Sequence, residues 1–244
     1  MALDLNEIIV PYKEFYGKNT EQMPLLIAEG RTPLSVAGVM ERRLRSDKPD
    51  WKNNYFDTGD AIVYHPDKKF KIVLDAQPLR RLNSESKLRN RALILEDGLY
   101  EDLEGEEFHY KDVKELLERD LSQVEILQHP VWKAVARDSA LLEEYVPKMF
   151  AEMKERFDYK TNMGVYLDSF DNAPKLRALY VFRLEYRSGL DGRGDLDDVD
   201  GRLAGVAPEA LNALGKVLVK PSLEMALNVV NEHFGKSGIL LKTK

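Results

Sequence analysis

Residues 61–74 place the strongest local constraint on the fold, because an apolar run, a short turn and a stretch of alternating apolar and polar side chains follow one another. The sequence predicts a strand over 61–64, a turn over 65–68 and a second strand over 69–74. The apolar face of the second strand contains Phe70, Ile72 and Leu74, and its polar face contains Lys69 and Lys71. This alternation is typical of an antiparallel hairpin in a sheet with one face toward water.

Helical patterns lie on both sides of this hairpin. A stripe over 5–16, interrupted by Pro11, predicts one helix, and Thr32 followed by Pro33 predicts the start of another that ends near Arg45. Residues 111–157 predict a series of helices, the last of them bent or split at Pro147. Two further helices are expected over 208–214 and 221–234.

Two more segments have strand character. Residues 91–95 predict a short strand, and 163–168 and 177–187 predict a second hairpin. The aromatic and apolar residues Tyr180, Phe182, Leu184 and Tyr186 would then form one buried face. A buried helix beginning at Pro174 is the alternative for 177–187.

Hairpins and helices without a regular strand–helix alternation predict an α+β fold. We expect an antiparallel or mixed sheet packed against several helices, with more helix in the second half of the chain. No stretch resembles a flexible linker, so the sequence predicts a single domain over 1–244, with a subdivision near residue 107 as the alternative.

Composition narrows the classes of protein. The chain has 43% hydrophobic and 32% charged residues, which argues against wholesale disorder, and the absence of cysteine excludes disulfides, thiolate metal sites and cysteine nucleophiles. A net charge of −6 makes nucleic acid an unfavourable partner. The sequence shows no secretory signal and no apolar run of membrane-spanning length, so we expect a soluble cytoplasmic protein without a membrane partner.

The acidic, glycine-rich segment 189–202 is the first candidate site. Five carboxylates are crowded into ten residues, and such oxygen ligands suit Ca²⁺ or Mg²⁺. They belong to Asp191, Asp195, Asp197, Asp198 and Asp200. The spacing does not fit an EF-hand, because Leu196 and Ala207 would fall at ligand positions. The alternative is a hydrated connection in which Asp and Gly form turns and caps. Apart from this divalent cation, no cofactor is predicted.

A basic cluster followed by an acidic block over 80–107 suggests a second site. Arg80, Arg81 and Arg89 are candidates for binding an anion such as phosphate. The alternative is that the basic and acidic blocks pair with each other or face water. Upstream, Asp57-Thr58-Gly59 matches the short signature of aspartic proteases, but that class needs two such loops and only one is present.

The sequence does not determine one function, and two hypotheses remain. The first is a non-catalytic interaction or accessory protein that binds a protein partner or forms a homo-oligomer. The Tyr/Arg-rich stretch 180–187, with Trp51, Tyr55 and Phe56, offers an aromatic surface for such a partner, although burial in the core is the stronger interpretation. The second is a metal-assisted hydrolase or other anion-handling enzyme that uses the acidic loop, with Arg183 or Arg187 holding a negative substrate.

Overall fold

The computed structural model describes residues 11–96 and 98–208, and those up to Ala207 belong to one compact unit. Helices and strands are interspersed along this unit, which confirms the α+β class. The strands are β1 (Tyr12–Tyr16), β2 (Thr32–Pro33), β3 (Phe56–His65), β4 (Lys69–Val73), β5 (Leu88–Arg89), β6 (Ala92–Ile94), β7 (Glu106–His109), β8 (Val165–Tyr166), β9 (Lys175–Val181), β10 (Leu190–Asp191) and β11 (Arg202–Val206). The helices are α1 (Asn19–Ala28), α2 (Val36–Arg45), α3 (Asp50–Asn53), α4 (Gln77–Arg80), α5 (Leu99–Asp102), α6 (Tyr110–Val113), α7 (Gln123–Gln128), α8 (Pro130–Ala136) and α9 (Ser139–Phe157), with 3₁₀ turns at Lys114–Leu116 and Leu184–Tyr186.

One mixed sheet organises the unit, with the central strand order β1-β11-β3-β9-β10-β8. The two strands that are farthest apart along the described chain, β1 and β11, pair antiparallel from Tyr12 opposite Val206 to Tyr16 opposite Arg202. Strand β11 also runs parallel to β3. The pairing of β1 with β11 therefore joins residues almost 200 positions apart, and no local sequence pattern encodes this pairing.

The hairpin predicted from residues 61–74 is confirmed. Strands β3 and β4 pair from Ala61 opposite Val73 to His65 opposite Lys69. Phe70 and Ile72 are buried, as the alternation predicts, whereas Leu74, predicted on the same face, lies just after β4 and is 37% exposed. The short strand predicted over 91–95 is also confirmed, as β6.

Two predictions near the start of the described chain are wrong. Residues 12–16 form strand β1 instead of the end of a helix, because their backbone groups pair with β11. Thr32 does not cap α2, since Thr32–Pro33 also pairs with β11, and the cap is Ser35, whose hydroxyl accepts from the Gly38 amide at 3.1 Å. The predicted end of this helix at Arg45 is confirmed.

The helices expected over 111–157 are present, and the last of them, α9, is not split at Pro147. Helices α2, α8 and α9 pack against one another, and the capping residue that precedes α8 is a buried histidine, His129. Its Nδ1 accepts from the Val131 amide at 3.2 Å, and burial lowers the pKa of His129 to about 4. His129 is therefore a neutral cap at neutral pH.

The second predicted hairpin is wrong in its pairing. Strand β9 exists, which settles the choice between strand and helix for its part of 177–187, but β10 lies between β8 and β9. The chain leaves the sheet after Val181, so the strand period no longer applies to the next residues. Leu184 is buried as predicted, whereas Tyr186 is 58% exposed.

Several predicted elements lie outside the described residues: the start of the first helix over 5–10, and nearly all of the two helices over 208–214 and 221–234. Among the residues that the structure does describe, no helix combines the length and the apolar character that a membrane span requires.

The signature Asp57-Thr58-Gly59 lies at an irregularity of β3, where the register with β9 shifts between Asp57 and Ala61. Gly59 is needed for close packing, because a Cβ there would lie 2.9 Å from Cγ of Pro33. The next residue, Asp60, is completely buried. Its carboxylate accepts hydrogen bonds from the amides of Val36 (2.8 Å) and Asp75 (2.9 Å) and from Nη2 of Arg137 (2.7 Å). Asp60 therefore joins β3 to the start of α2 and to Arg137, the residue that follows α8.

We predict that Asp60→Ala lowers the free energy of unfolding by about 2–4 kcal/mol, because it removes the shared acceptor of the Val36 and Asp75 amides and leaves Arg137 with Asp75 as its remaining carboxylate partner. Urea unfolding at pH 7 measures the change. Asp67→Ala in the exposed β3–β4 turn is the control and should change stability by less than about 0.5 kcal/mol. A loss below about 1 kcal/mol for Asp60→Ala would contradict this role.

Candidate binding face

Aromatic side chains from separate segments line up across the sheet at a single level. This alignment follows from the strand register. A chain of paired or neighbouring residues runs across the six strands β1, β11, β3, β9, β10 and β8. These pairs are Tyr16–Arg202, Leu203–Asp57, Asp57–Tyr180, Tyr180–Asp191 and Asp191–Tyr166. The sheet thus brings together residues that are up to 186 positions apart in the sequence.

The rings at this level contact one another. Tyr55, which precedes β3, stacks on Tyr180 with 5.1 Å between ring centroids, and Tyr180 meets Phe182 edge-on at 5.0 Å. Phe182 in turn lies 6.3 Å from Tyr166 and 6.4 Å from Tyr186. Offset and edge-on contacts of this kind favour a fixed arrangement of the rings.

Arginine side chains extend the cluster by stacking on tyrosine rings. Arg202 lies over both Tyr16 (5.6 Å) and Tyr55 (5.2 Å), which connects the first ring to the others. Three more guanidinium groups lie over rings at 4.5–5.1 Å, in the pairs Arg183–Tyr186, Arg187–Tyr159 and Arg193–Tyr166. We call the surface formed by Tyr16, Tyr55, Tyr159, Tyr166, Tyr180, Phe182 and Tyr186 the aromatic face.

Each of these arginines also has a carboxylate partner within the chain. The pairs are Arg202–Glu14, Arg183–Glu185, Arg187–Asp120 and Arg193–Asp191. The positive charges that stack on the rings are therefore balanced locally, and the side chains are held in place before any ligand arrives.

An open depression of about 430 Å³ lies within the aromatic face. Its walls combine rings with charged groups, and its lining residues are Asp120, Tyr159, Tyr166, Phe182, Glu185, Tyr186, Arg187 and Arg193. Burial raises the pKa of Tyr55 and of Tyr166 to about 12, so both phenols stay protonated at neutral pH.

The turn at Arg187 and Ser188, next to this depression, has a strained backbone and is hydrogen-bonded to a buried arginine. Arg187 and Ser188 both adopt positive φ angles, of 61° and 52°, which non-glycine residues adopt rarely. Arg43 of α2 is 1% exposed and donates through Nη1 to the Ser188 hydroxyl (2.8 Å) and through Nη2 to the Phe182 carbonyl (2.8 Å). A strained backbone fixed in this way is typical of functional sites.

Asp57, which lies opposite Tyr180 in the strand register, is buried next to the aromatic face. Its carboxylate accepts from the amide of Arg202 at 2.8 Å, and burial raises its pKa from 3.8 to about 6. The folded state thus binds this proton more tightly than the unfolded state does. Stability from this group is greatest at acidic pH and is lost as the pH rises through about 6.

We predict that the stability of Asp57→Asn relative to wild type increases by about 2 kcal/mol when the pH is raised from 4.5 to 7.5. The reason is that the carboxyl of the wild type must ionise in a buried position, whereas the amide carries no charge. The Arg202 amide retains an acceptor in the variant. Urea unfolding of both proteins at the two pH values isolates the effect, since all other groups titrate in both. A difference in stability between the two proteins that stays constant with pH would contradict the assignment.

The carboxylates of the acidic loop, which is the segment 189–202, mostly have partners within the chain. Asp191 pairs with Arg193, and Asp195 pairs with Arg91 (2.7 Å) and Arg177 (3.0 Å). The other three contacts are Asp197 with Arg91 at 3.8 Å, Asp198 Oδ1 accepting from the Asp200 amide at 3.1 Å, and Asp200 Oδ1 accepting from the Tyr16 hydroxyl at 3.0 Å. Within 11–96 and 98–208, no three carboxylate or imidazole groups are arranged to hold a metal ion.

The divalent cation site at Asp191, Asp195, Asp197, Asp198 and Asp200 stays a prediction, as does the hydrolase that depends on it. A bound ion would raise the midpoint of thermal unfolding, and the shift would vanish in Asp198→Asn/Asp200→Asn. Thermal unfolding with and without Ca²⁺, Mg²⁺ or Mn²⁺ tests this. An unchanged midpoint with all three at millimolar concentration would contradict it.

The predicted anion-binding arginines lie on different elements. Arg80 ends α4, where it lies 4.0 Å from Asp75, and Arg81 is the next residue. Arg89 belongs to β5 and lines a shallow polar depression with Asn90 and Asp171. No ion pair among the described residues joins the basic cluster to the acidic block over 96–107, and Arg81 and Arg89 are exposed, as in the alternative in which the cluster faces water. Anion binding itself stays a prediction.

Sequence reasoning identified only part of the aromatic face. Tyr55, Tyr180, Phe182 and Tyr186 were candidates for an aromatic surface, and they contribute to it, whereas Trp51 and Phe56 are buried. Tyr16, Tyr159 and Tyr166 carried no signal of a shared surface, because they lie in segments that are far from 180–187 or have no aromatic pattern of their own. The sheet register brings Tyr16 and Tyr166 to this surface, and Arg187 stacking joins Tyr159 to it.

The comparisons with known proteins concern the fold. No protein-family model and no curated protein matches the sequence. A solved structure described as "Accommodation of massive sequence variation in Nanoarchaeota by the C-type lectin fold" matches with a TM-score of 0.63 and 19% identity. The match covers 82% of this chain and 100% of the other. The described unit therefore has the architecture of the C-type lectin fold.

Proposed function

We propose that this chain is a non-catalytic binding protein that holds a protein partner on the aromatic face. The observation that carries the proposal is the convergence of seven rings from separate segments on one surface, with Tyr16 and Tyr186 each more than half exposed. Exposed rings are costly in water unless a partner covers them.

The composition of the face suits a protein interface. Tyrosine and arginine are enriched at the energetic centres of interfaces, since they offer large contact areas together with hydrogen-bond donors. Tyrosine also loses little conformational entropy on binding, because it has only two side-chain torsions.

The rigidity of the face favours binding as well. The intrachain arginine–carboxylate pairs and the anchoring of Ser188 by Arg43 fix the side chains before contact, which lowers the entropic cost of association. The fold comparison supports the same proposal. A fold that accommodates massive sequence variation in one protein suits a role in which surface side chains, held on a constant framework, determine what is bound.

Selection from a displayed random-peptide library tests the proposal. We expect peptides selected on the wild-type protein to bind at least about tenfold more weakly to Tyr16→Ser/Tyr186→Ser, since each truncation removes roughly 1 kcal/mol or more of contact energy. Titration of individual selected peptides against both proteins gives the ratio.

Val124→Ser is the matched control, because Val124 is an apolar residue of α7 at 64% exposure that does not line the depression of the aromatic face. It should leave the affinities unchanged. Selected peptides that bind the double variant as tightly as wild type would show that the aromatic face is not the binding surface.

A further inference from the structure

The aromatic face already accommodates guanidinium groups, and these are the chain's own. Arg202 lies between Tyr16 and Tyr55, and Arg183 lies over Tyr186. Tyr16 is still 52% exposed and Tyr186 58% exposed, so ring surface remains open to a second cation after these contacts are made. A tyrosine ring attracts a cation through its negative face, and a planar guanidinium gains stacking contact in addition.

Negative charge without a counter-ion lies beside the open ring of Tyr16. The Tyr16 hydroxyl donates to Oδ1 of Asp200 at 3.0 Å, and the Tyr55 hydroxyl donates to the Asp200 carbonyl at 2.8 Å. Asp198 and Asp200 are both exposed, and no ion pair among the described residues includes either of them. The arginines of the face are matched by their own carboxylates, so the charge that remains at this end is negative.

Together these features describe a surface for a cation. Exposed tyrosine rings supply the stacking surface and two carboxylates supply the charge, on a chain whose net charge is −6. Long-range attraction would bring a basic segment to this surface, and the rings would then distinguish guanidinium from ammonium.

We propose that the partner is a basic protein segment. One of its arginine side chains stacks on Tyr16, and the carboxylates of Asp198 and Asp200 attract the guanidinium charge. This inference rests on the proposed function, because it names the chemistry of the partner at the same face. It assigns the exposed end of the acidic loop to recognition of a partner.

Fluorescence anisotropy with labelled hexa-arginine, hexa-lysine and hexa-glutamate peptides tests the inference on the full chain. We expect hexa-arginine to bind about fivefold or more tighter than hexa-lysine, since one stacked guanidinium contributes roughly 1 kcal/mol. Hexa-glutamate should not bind, and raising the salt from roughly 50 to 150 mM should weaken both basic peptides.

Variants separate the two components of recognition. Tyr16→Leu keeps an apolar side chain but removes the ring, and should reduce hexa-arginine affinity to that of hexa-lysine. Asp198→Asn/Asp200→Asn should weaken both basic peptides by about tenfold. The charge-matched control is Asp67→Asn/Glu115→Gln, at carboxylates with 78% and 87% exposed side chains, and it should bind both peptides as wild type does.

Equal affinity for the two basic peptides with no effect of Tyr16→Leu would overturn the inference, because attraction would then be general and electrostatic. Absence of binding by hexa-arginine would overturn it as well. Neither of these two outcomes contradicts the proposed function, because the library selection tests that function separately. Face-dependent peptides without arginine enrichment would uphold the proposed function and reject the arginine-bearing partner.

Discussion

The buried guanidinium of Arg43 joins the helices to the part of the sheet that carries the aromatic face. All its donors are used, and all its acceptors are oxygens of neutral groups. They are the Trp51 carbonyl (2.8 Å), the Asn54 carbonyl (3.1 Å), the Phe182 carbonyl (2.8 Å), the Tyr145 hydroxyl (3.2 Å) and the Ser188 hydroxyl (2.8 Å). Tyr145 lies on α9 and Ser188 lies in the strained turn, so one side chain fixes the helices, the turn and the end of β9 relative to one another. A buried charge needs such complete satisfaction, which makes this geometry hard to vary.

The aromatic face depends on this framework and on the register of the sheet. Its rings come from β1, β8, β9, the turn after β9, the segment before β3 and the residue two positions beyond α9. A shift of one residue in the β1–β11 pairing would turn Tyr16 to the opposite side of the sheet. Burial of Asp57 opposite Tyr180 raises its pKa to about 6, so ionisation of this carboxyl at neutral pH opposes folding.

The acidic loop illustrates how one residue type serves different purposes within ten positions. Asp191 and Asp195 pair with arginines, whereas Asp198 and Asp200 are exposed, with Asp200 hydrogen-bonded to Tyr16 and Asp198 to the Asp200 amide. The sequence does not distinguish these five carboxylates, because their number and spacing do not show which partners they have in the folded chain. Arg177, which binds Asp195, is 18 positions away and was not a candidate for this role.

The sequence by itself determined the features that depend on near neighbours. Among them are the β3–β4 hairpin, the strand β6, the helices between 111 and 157, the end of α2 at Arg45 and the α+β class. Alternation, capping and helix periodicity act over a few residues, so they can be read from one sequence. Tertiary structure alone decided that residues 12–16 form a strand and that β10 separates β8 from β9. It also decided which tyrosines share a surface. Strand partners are chosen by hydrogen bonding and burial between distant segments, and a single sequence does not display these contacts.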